Sequence, residues 1–331
     1  MNIRPVKLPQ DLDVMNTLIL EGFDYPDHPE WSIQPDEKEG MLDRLKGMKR
    51  MWPILQILRV FSPVMRDAMR GFIAEENGKP VGLMNHMRDN KEPEWFLANA
   101  AVLPAYRRRG IARQMLAAIQ KDVRENRGGG VLILGAIDQN VPSLELCKSM
   151  GFEIFTSMVE MDIEADAPVP APTLPDGLIL APRSRFDWRT QFELAKRITP
   201  ENVARYEPPV ERRFRRPFLR SLFGILFEKM GGYSSRRYTL RAPDGKIVAV
   251  SGLWFRVNKG GMNDAGIDLD PTYPEMAPFL VAHAISTIRS LSPGRRIEFS
   301  FESWQPALIQ AAESLGCKKR FGAHRLGVKL E

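Results

Sequence analysis

The sequence predicts an α/β fold of the α+β kind, a mixed sheet with interleaved helices, laid down twice in tandem. Three observations carry this. Two hairpin signals, Asn77-Gly78-Lys79 and Asp244-Gly245-Lys246, each sit between runs of strand-forming residues. A proline-rich stretch without apolar periodicity, 163–176, divides the chain near its middle. On both sides of it the same landmarks recur in the same order. Gly78 precedes Pro104 by as many residues as Gly245 precedes Pro271. Val102-Leu103-Pro104-Ala105-Tyr106 matches Leu269-Asp270-Pro271-Thr272-Tyr273, and Ser149-Met150-Gly151-Phe152 matches Ser314-Leu315-Gly316-Cys317. One such match arises by chance; three in order indicate duplication. The expected division is a first domain over 1–162, a linker over 163–176 and a second domain over 177–331.

Taken in order, residues 1–8 alternate like a first strand and lack the apolar core of a secretion signal. After a first helix comes an acidic region, with Glu21, Asp24, Asp27, Glu30, Asp36, Glu37 and Glu39 among Phe23, Tyr25 and Trp31. Acidic groups beside aromatic faces suit a cationic amine; a solvated acidic loop has the same composition. The basic, apolar stretch 44–70 has a counterpart over 212–227, and the two could pack together, line a pocket or lie on a membrane surface. Its most apolar part, 52–64, is interrupted by Gln56 and Arg59 and is too short and charged to span a bilayer. Strands are expected over 71–76, 80–87 and 95–103, the last with Ala98, Ala100 and Ala101 suggesting burial on both faces. A helix over 110–125 follows, with Ile111, Met115, Leu116, Ile119 and Val123 on one apolar face, and then a buried strand over 130–137.

At 331 residues, 44% hydrophobic and 27% charged, the chain has material for two cores. A net charge of +6 permits an anionic ligand. The basic residues are spread along the chain, which argues against nucleic acid. Two cysteines make no disulfide framework and point to a reducing compartment, with the cytoplasm as the default and no metal site expected.

The chemistry concentrates in Arg107-Arg108-Arg109-Gly110-Ile111-Ala112-Arg113. A strand ends, a short basic loop follows, and a helix begins at a glycine. The free amides of a first helical turn attract an anion, Gly110 and the small Ala112 allow close backbone approach, and the arginines add positive charge. A solvated basic loop capping a surface helix would read alike. Arg107-x-x-Gly110-x-Ala112, after Val102-Leu103-Pro104, resembles the pyrophosphate loop of the GNAT superfamily of N-acetyltransferases. Asn140, Ser143 and Leu146-Cys147-Lys148-Ser149-Met150-Gly151-Phe152 resemble its downstream signature. The resemblance covers nearly all of 1–162. It implies two tandem GNAT-like domains, in the first of which the fourth and fifth strands splay apart around an acyl-CoA. The pantetheine arm would meet backbone near Ala101, Val102 and Leu103, the amides of Arg108 to Arg113 would hold the pyrophosphate, and Asn140 would bond the pantetheine or order its loop.

Two departures from the family stand out. Where it usually places a tyrosine as proton donor, this sequence has Cys147, either a donor to the leaving thiolate or a small packing residue. Where it often places an acidic base on the fourth strand, the positions read Ala98 and Asn99, leaving Asn99 to orient a water and Glu94 or His86 as candidate bases. His86 reads equally as an ordinary sheet residue. In the second half, alignment on the prolines sets Ala277 opposite Gly110 and puts Pro274, Glu275, Pro278 and Phe279 in the loop. Two residues without amide protons, a negative charge and a bulky ring disfavour pyrophosphate there. The expected activity is acetyl-CoA-dependent N-acyl transfer to a small amine by direct attack on the thioester, the alternative being a non-catalytic acyl-CoA sensor. The second half would be a degenerate partner in a monomeric pseudo-dimer or a weak homodimer.

Overall fold

The computed structural model describes all residues except 62–69, 89–93, 216–224, 226–227, 229–230 and 258–259. Parts of both basic, apolar stretches therefore lie outside the described residues. The contacts divide the chain into two units, Met1–Phe155 with His324–Glu331, and Thr156–Ala323. This corrects the expected boundaries at 162 and 177.

The first unit orders its strands β1 (Asn2–Pro5), β2 (Arg70–Glu76), β3 (Lys79–Arg88), β4 (Glu94–Val102) and β5 (Gly130–Ile137), followed by residues 324–330 of β12 (Lys318–Leu330). β1 to β4 are antiparallel. Asn77 and Gly78, at φ +52° and +75°, make the left-handed turn that matches strand twist between β2 and β3. Alternation along the strands feeds two faces. Ile73 and Leu83 pack with Met15 and Leu18 of α1 (Leu12–Gly22). Ala74, Val81, Met84 and Trp95 pack with α3 (Ile111–Asn126), which follows α2 (Pro35–Phe61) in the chain. The five expected apolar residues of α3 are all buried. Leu326 and Leu330 of β12 join this core.

β4 and β5 are parallel but pair only over Glu94↔Val131, Trp95↔Leu132 and Phe96↔Ile133. Beyond Phe96 the strands diverge, as the resemblance implies. Ala98 and Ala100 are exposed, against the expectation of burial on both faces, because β4 has lost its neighbour there.

The second unit orders its strands β6 (Glu153–Ile163), β11 (Ile297–Glu302), β10 (Asn263–Leu269), β9 (Ile247–Arg256), β8 (Tyr233–Arg241) and β7 (Ile179–Pro182). Its helices are α5 (Trp188–Ile198), α6 (Glu201–Ala204), α7 (Glu211–Phe214), α8 (Ala277–Leu291) and α9 (Pro306–Ser314). β10 and β11 repeat the device of the first unit, pairing in parallel over three positions only, Asn263↔Ile297 to Ala265↔Phe299. Met161 and Ile163 of β6 belong to this core. Beyond Ile163, the last residue of β6, the expected linker has neither helix nor strand, but Arg289 of α8 donates to the carbonyls of Glu164 (2.8 Å) and Ala167 (2.7 Å) and fixes it to the second unit. Among the described residues no helix is long and apolar enough to cross a membrane.

Candidate active site

The divergence of β4 and β5 opens a cavity of about 530 Å³ in the first unit. Leu97, Ala100 and Val102 form one wall, Leu134 and Gly135 another, and α3 and α4 (Val141–Ser149) close it. Of the residues singled out in the sequence, Val102, Arg107, Arg108, Gly110, Ile111, Ala112, Arg113, Asn140, Ser143 and Cys147 line it.

The loop has the geometry of an anion cradle. Arg108 and Gly110 take left-handed φ of +64° and +76°, while Arg109 between them does not. Alternating hands make successive N–H groups converge. The α3 ladder begins with Gln114 N–H donating to the Gly110 carbonyl at 3.1 Å, so the amides of Gly110 to Arg113 precede it at the positive end of the helix. A Cβ placed on Gly110 would meet nothing nearer than Gln114 Nε2 at 4.0 Å. The cradle is open, and a diphosphate fits its charge and its room.

The arginines divide their work. Arg107 turns inward. Its Nε donates to the Val102 carbonyl (3.1 Å), its Nη2 donates to the carbonyls of Gly22 (3.1 Å) and Asp24 (3.3 Å), and its guanidinium lies 4.7 Å from the centre of the Tyr25 ring. It fastens the end of α1 to the cavity mouth. Arg113 donates to Ser149 Oγ at 2.8 Å, bracing α3 against α4. Arg109 points away, toward Glu76 and the Ala105 carbonyl, and does not line the cavity.

Ala101 and Leu103 do not line it either. Leu103 N–H donates to Val81 O at 3.0 Å, so by alternation Val102 and Ala100 present their backbone groups to the open side. Asn140 is the N-cap of α4, accepting from Ser143 N–H at 3.3 Å, so it orders the loop.

The three other candidate catalytic residues lie outside the cavity. His86 is fully buried, with Nε2 3.4 Å from Asp122 Oδ2 of α3 and its ring tilted against Trp95 at 5.5 Å. Hydrogen bonding to His86, helped by Asn126 and Arg127, holds the Asp122 carboxyl well below the usual carboxylate range. Glu94 is buried at the paired end of β4, and Asn99 Nδ2 donates to Asn85 Oδ1 at 2.9 Å. Cys147 does line the cavity but is 4% exposed, and burial pushes its thiol up to about 11. The thiol therefore keeps its proton at neutral pH.

Tyr25, Tyr106 and Glu145 also reach the cavity. Tyr25 stood in the acidic, aromatic region of the sequence, but only its stacking with Arg107 shows that it belongs here. Burial raises its hydroxyl pKa, so it is a hydrogen-bond donor.

The corresponding place in the second unit is closed. Ala277 is wholly buried, Phe279 packs into the core, and Pro274 and Pro278 stand at the start of the helix.

The comparisons agree with this geometry. The family model of the acetyltransferase (GNAT) family matches residues 30–152, which include both the loop and the α4 block. An aminoglycoside N(6′)-acetyltransferase type 1 of Salmonella typhimurium is 28% identical over 124 residues, 34% of this chain and 85% of the relative. A tandem GNAT protein from the clavulanic acid biosynthesis pathway superposes with a TM-score of 0.65 at 14% identity, over 100% of this chain and 98% of the other. A GCN5-related N-acetyltransferase from Sphaerobacter thermophilus gives 0.62 at 14% identity, over 99% and 96%. At such identities the structural likeness is one of fold, and it extends over both units. Residues 30–152 of the chain match the acetyltransferase (GNAT) family, and the fold of a tandem GNAT protein extends over both units.

Proposed function

We propose that the first unit binds acetyl-CoA between β4 and β5 and transfers its acetyl group to the amine of a small cationic molecule. One observation carries the reading: the strand gap and the cradle at Arg108 to Gly110 open into the same cavity. Bound acetyl-CoA would supply an activated thioester carbonyl. The amides of Gly110 to Arg113 would hold the diphosphate, and the backbone of Ala100 would meet the amide-rich arm along the gap. Arg107 positions the end of α1 and Tyr25 as one wall of the acceptor entrance. Glu21, Asp24 and Asp27 lie beside that wall in sequence and favour a cationic acceptor. Aminoglycosides head the acceptor panel, because the relative named above acetylates that class by its printed name. Cys147 packs and keeps its proton, so the thiolate takes its proton from water or from the product amine.

A second reading, a non-catalytic acyl-CoA sensor, draws support from His86, Glu94 and Asn99 lying outside the cavity. Amine-dependent release of free CoA separates the two. The enzyme reading expects release with at least one amine of a panel of aminoglycosides, polyamines and amino sugars. Acetyl-CoA binding without release by any of them would favour the sensor.

A further inference from the structure

The second unit has lost the cradle but not its own gap. Where β10 and β11 part, a cavity of about 410 Å³ opens, and every described residue lining it belongs to that unit. Its size falls in the range of small-molecule sites. Its lining is charged with both signs and poorly satisfied.

Two carboxylates line it, Asp268 of β10 and Glu302 of β11. Glu302 accepts from Thr156 Oγ1 at 3.0 Å. Asp268 is half-buried, and among the described residues no hydrogen bond to its carboxylate is found. Burial first, and then repulsion from Glu302, pushes its carboxyl up to about 6. Arg183 and Arg185, which follow β7, and Arg237 of β8 line it too, with Arg183 near enough to Asp268 to offset part of that rise. Arg185 pairs with Glu228 at 2.5 Å and Arg237 bonds Ser235 at 3.0 Å. Arg183 donates from Nη1 to the Asp187 carbonyl at 3.0 Å, but its Nε and Arg185 Nη1 are buried without acceptors among the described residues. Leaving such donors unmade is costly, and so is holding two carboxylates together in a desolvated site. Trp188 and Trp254 add flat apolar faces. The Trp254 indole lies over Gly252, where a Cβ would meet it at 2.7 Å, so that glycine leaves space for the ring.

An ammonium would relieve the carboxylates, and a carboxylate would relieve the orphan guanidinium donors. We infer that the second unit is a binding site for a small amino carboxylate, its ammonium between Asp268 and Glu302 and its carboxylate on Arg183 and Arg185. Acyl-CoA is not the occupant, because the helix that would receive its diphosphate begins at the buried Ala277. The inference does not depend on the activity proposed for the first unit.

The test is titration calorimetry of the full chain with each of the twenty standard L-amino acids and γ-aminobutyrate. Butylamine and butyrate serve as single-charge controls. At least one amino carboxylate should bind while both controls fail. Asp268→Asn and Arg183→Gln should each weaken that binding by about tenfold or more. Asp268→Asn removes a desolvated and repelled charge, so its melting temperature at pH 7 should equal or exceed that of the parent, and lost binding will not reflect unfolding. Gly110→Glu, in the other unit, should bind the amino carboxylate as the parent does. Absence of binding by every amino carboxylate would overturn the inference. So would binding unchanged by Asp268→Asn, or butylamine binding as tightly as the amino acid.

Discussion

Replacing Gly110 separates the cost of a strained backbone from the loss of a ligand. At φ +76°, with only Gln114 Nε2 at 4.0 Å from a built Cβ, Gly110 has space but a conformation that disfavours L-residues. Alanine there should lower stability by about 1 kcal/mol, or roughly 2–4 °C in a domain of this size class. Glutamate suffers the same strain but sets a carboxylate at the positive end of α3, which returns about 0.3–1 kcal/mol in the ligand-free protein. The ligand response should diverge much further. At a hundredfold excess over its dissociation constant, acetyl-CoA should add about 2.7 kcal/mol to the parent, a rise of roughly 5–11 °C. Gly110→Ala should keep part of that rise, and Gly110→Glu none. The aligned Ala277 is unsuitable as a control because it is wholly buried; the exposed Glu275, changed to Ala, should leave the shift intact. Scanning fluorimetry with and without acetyl-CoA reads all four proteins. A parent-like shift in Gly110→Glu would refute the cradle.

Two further outcomes follow from Cys147 and Asp122. Cys147→Ala should cost about 1–2 kcal/mol in stability while turnover stays within about tenfold of the parent, measured by CoA release. Because burial raises its thiol from 9.0 to about 11, the folded parent should lose stability as pH climbs through that interval, and the alanine variant should lose less. A collapse of turnover in a stable Cys147→Ala protein would make the thiol a catalytic residue. Asp122→Asn should destabilise the first unit at pH 7. Its lowered carboxyl contributes fully above the ordinary value of 3.8 and progressively less below it, so parent and variant should converge in denaturation curves as pH falls below about 4.

Much of the first unit was legible because its signals are local. The turn at Asn77-Gly78, the five-residue apolar face of α3 and the loop opening at Gly110 each lie within a few residues. What was misjudged depended on distant partners. His86 reads as a free base until α3 lays Asp122 beside it. Arg107 reads as a phosphate ligand until the carbonyls of Gly22 and Asp24 claim it. Ala98 and Ala100 look doubly buried only if β4 keeps its neighbour along its whole length. The unit boundary was missed for the same reason, since alternation in β6 says that it is a strand but not which sheet it joins. Tyr25 could have been found only by knowing that α1 ends over the cavity.

The membership of His324–Glu331 in the first unit constrains how the protein can be made and cut. Those residues lie next to β5, so close that a Cβ on Gly129 would fall 2.4 Å from the Leu330 carbonyl. During synthesis the first unit therefore waits with one edge of β5 unpaired until the ribosome has read the whole of the other unit. An open edge of that kind invites pairing with other chains, so the interval is one of exposure to aggregation. For the same reason a fragment ending at residue 162 would isolate a sheet missing its border strand. A gene fusion that joins residues 324–331 to residue 155 through a short loop would instead restore the unit in a single stretch.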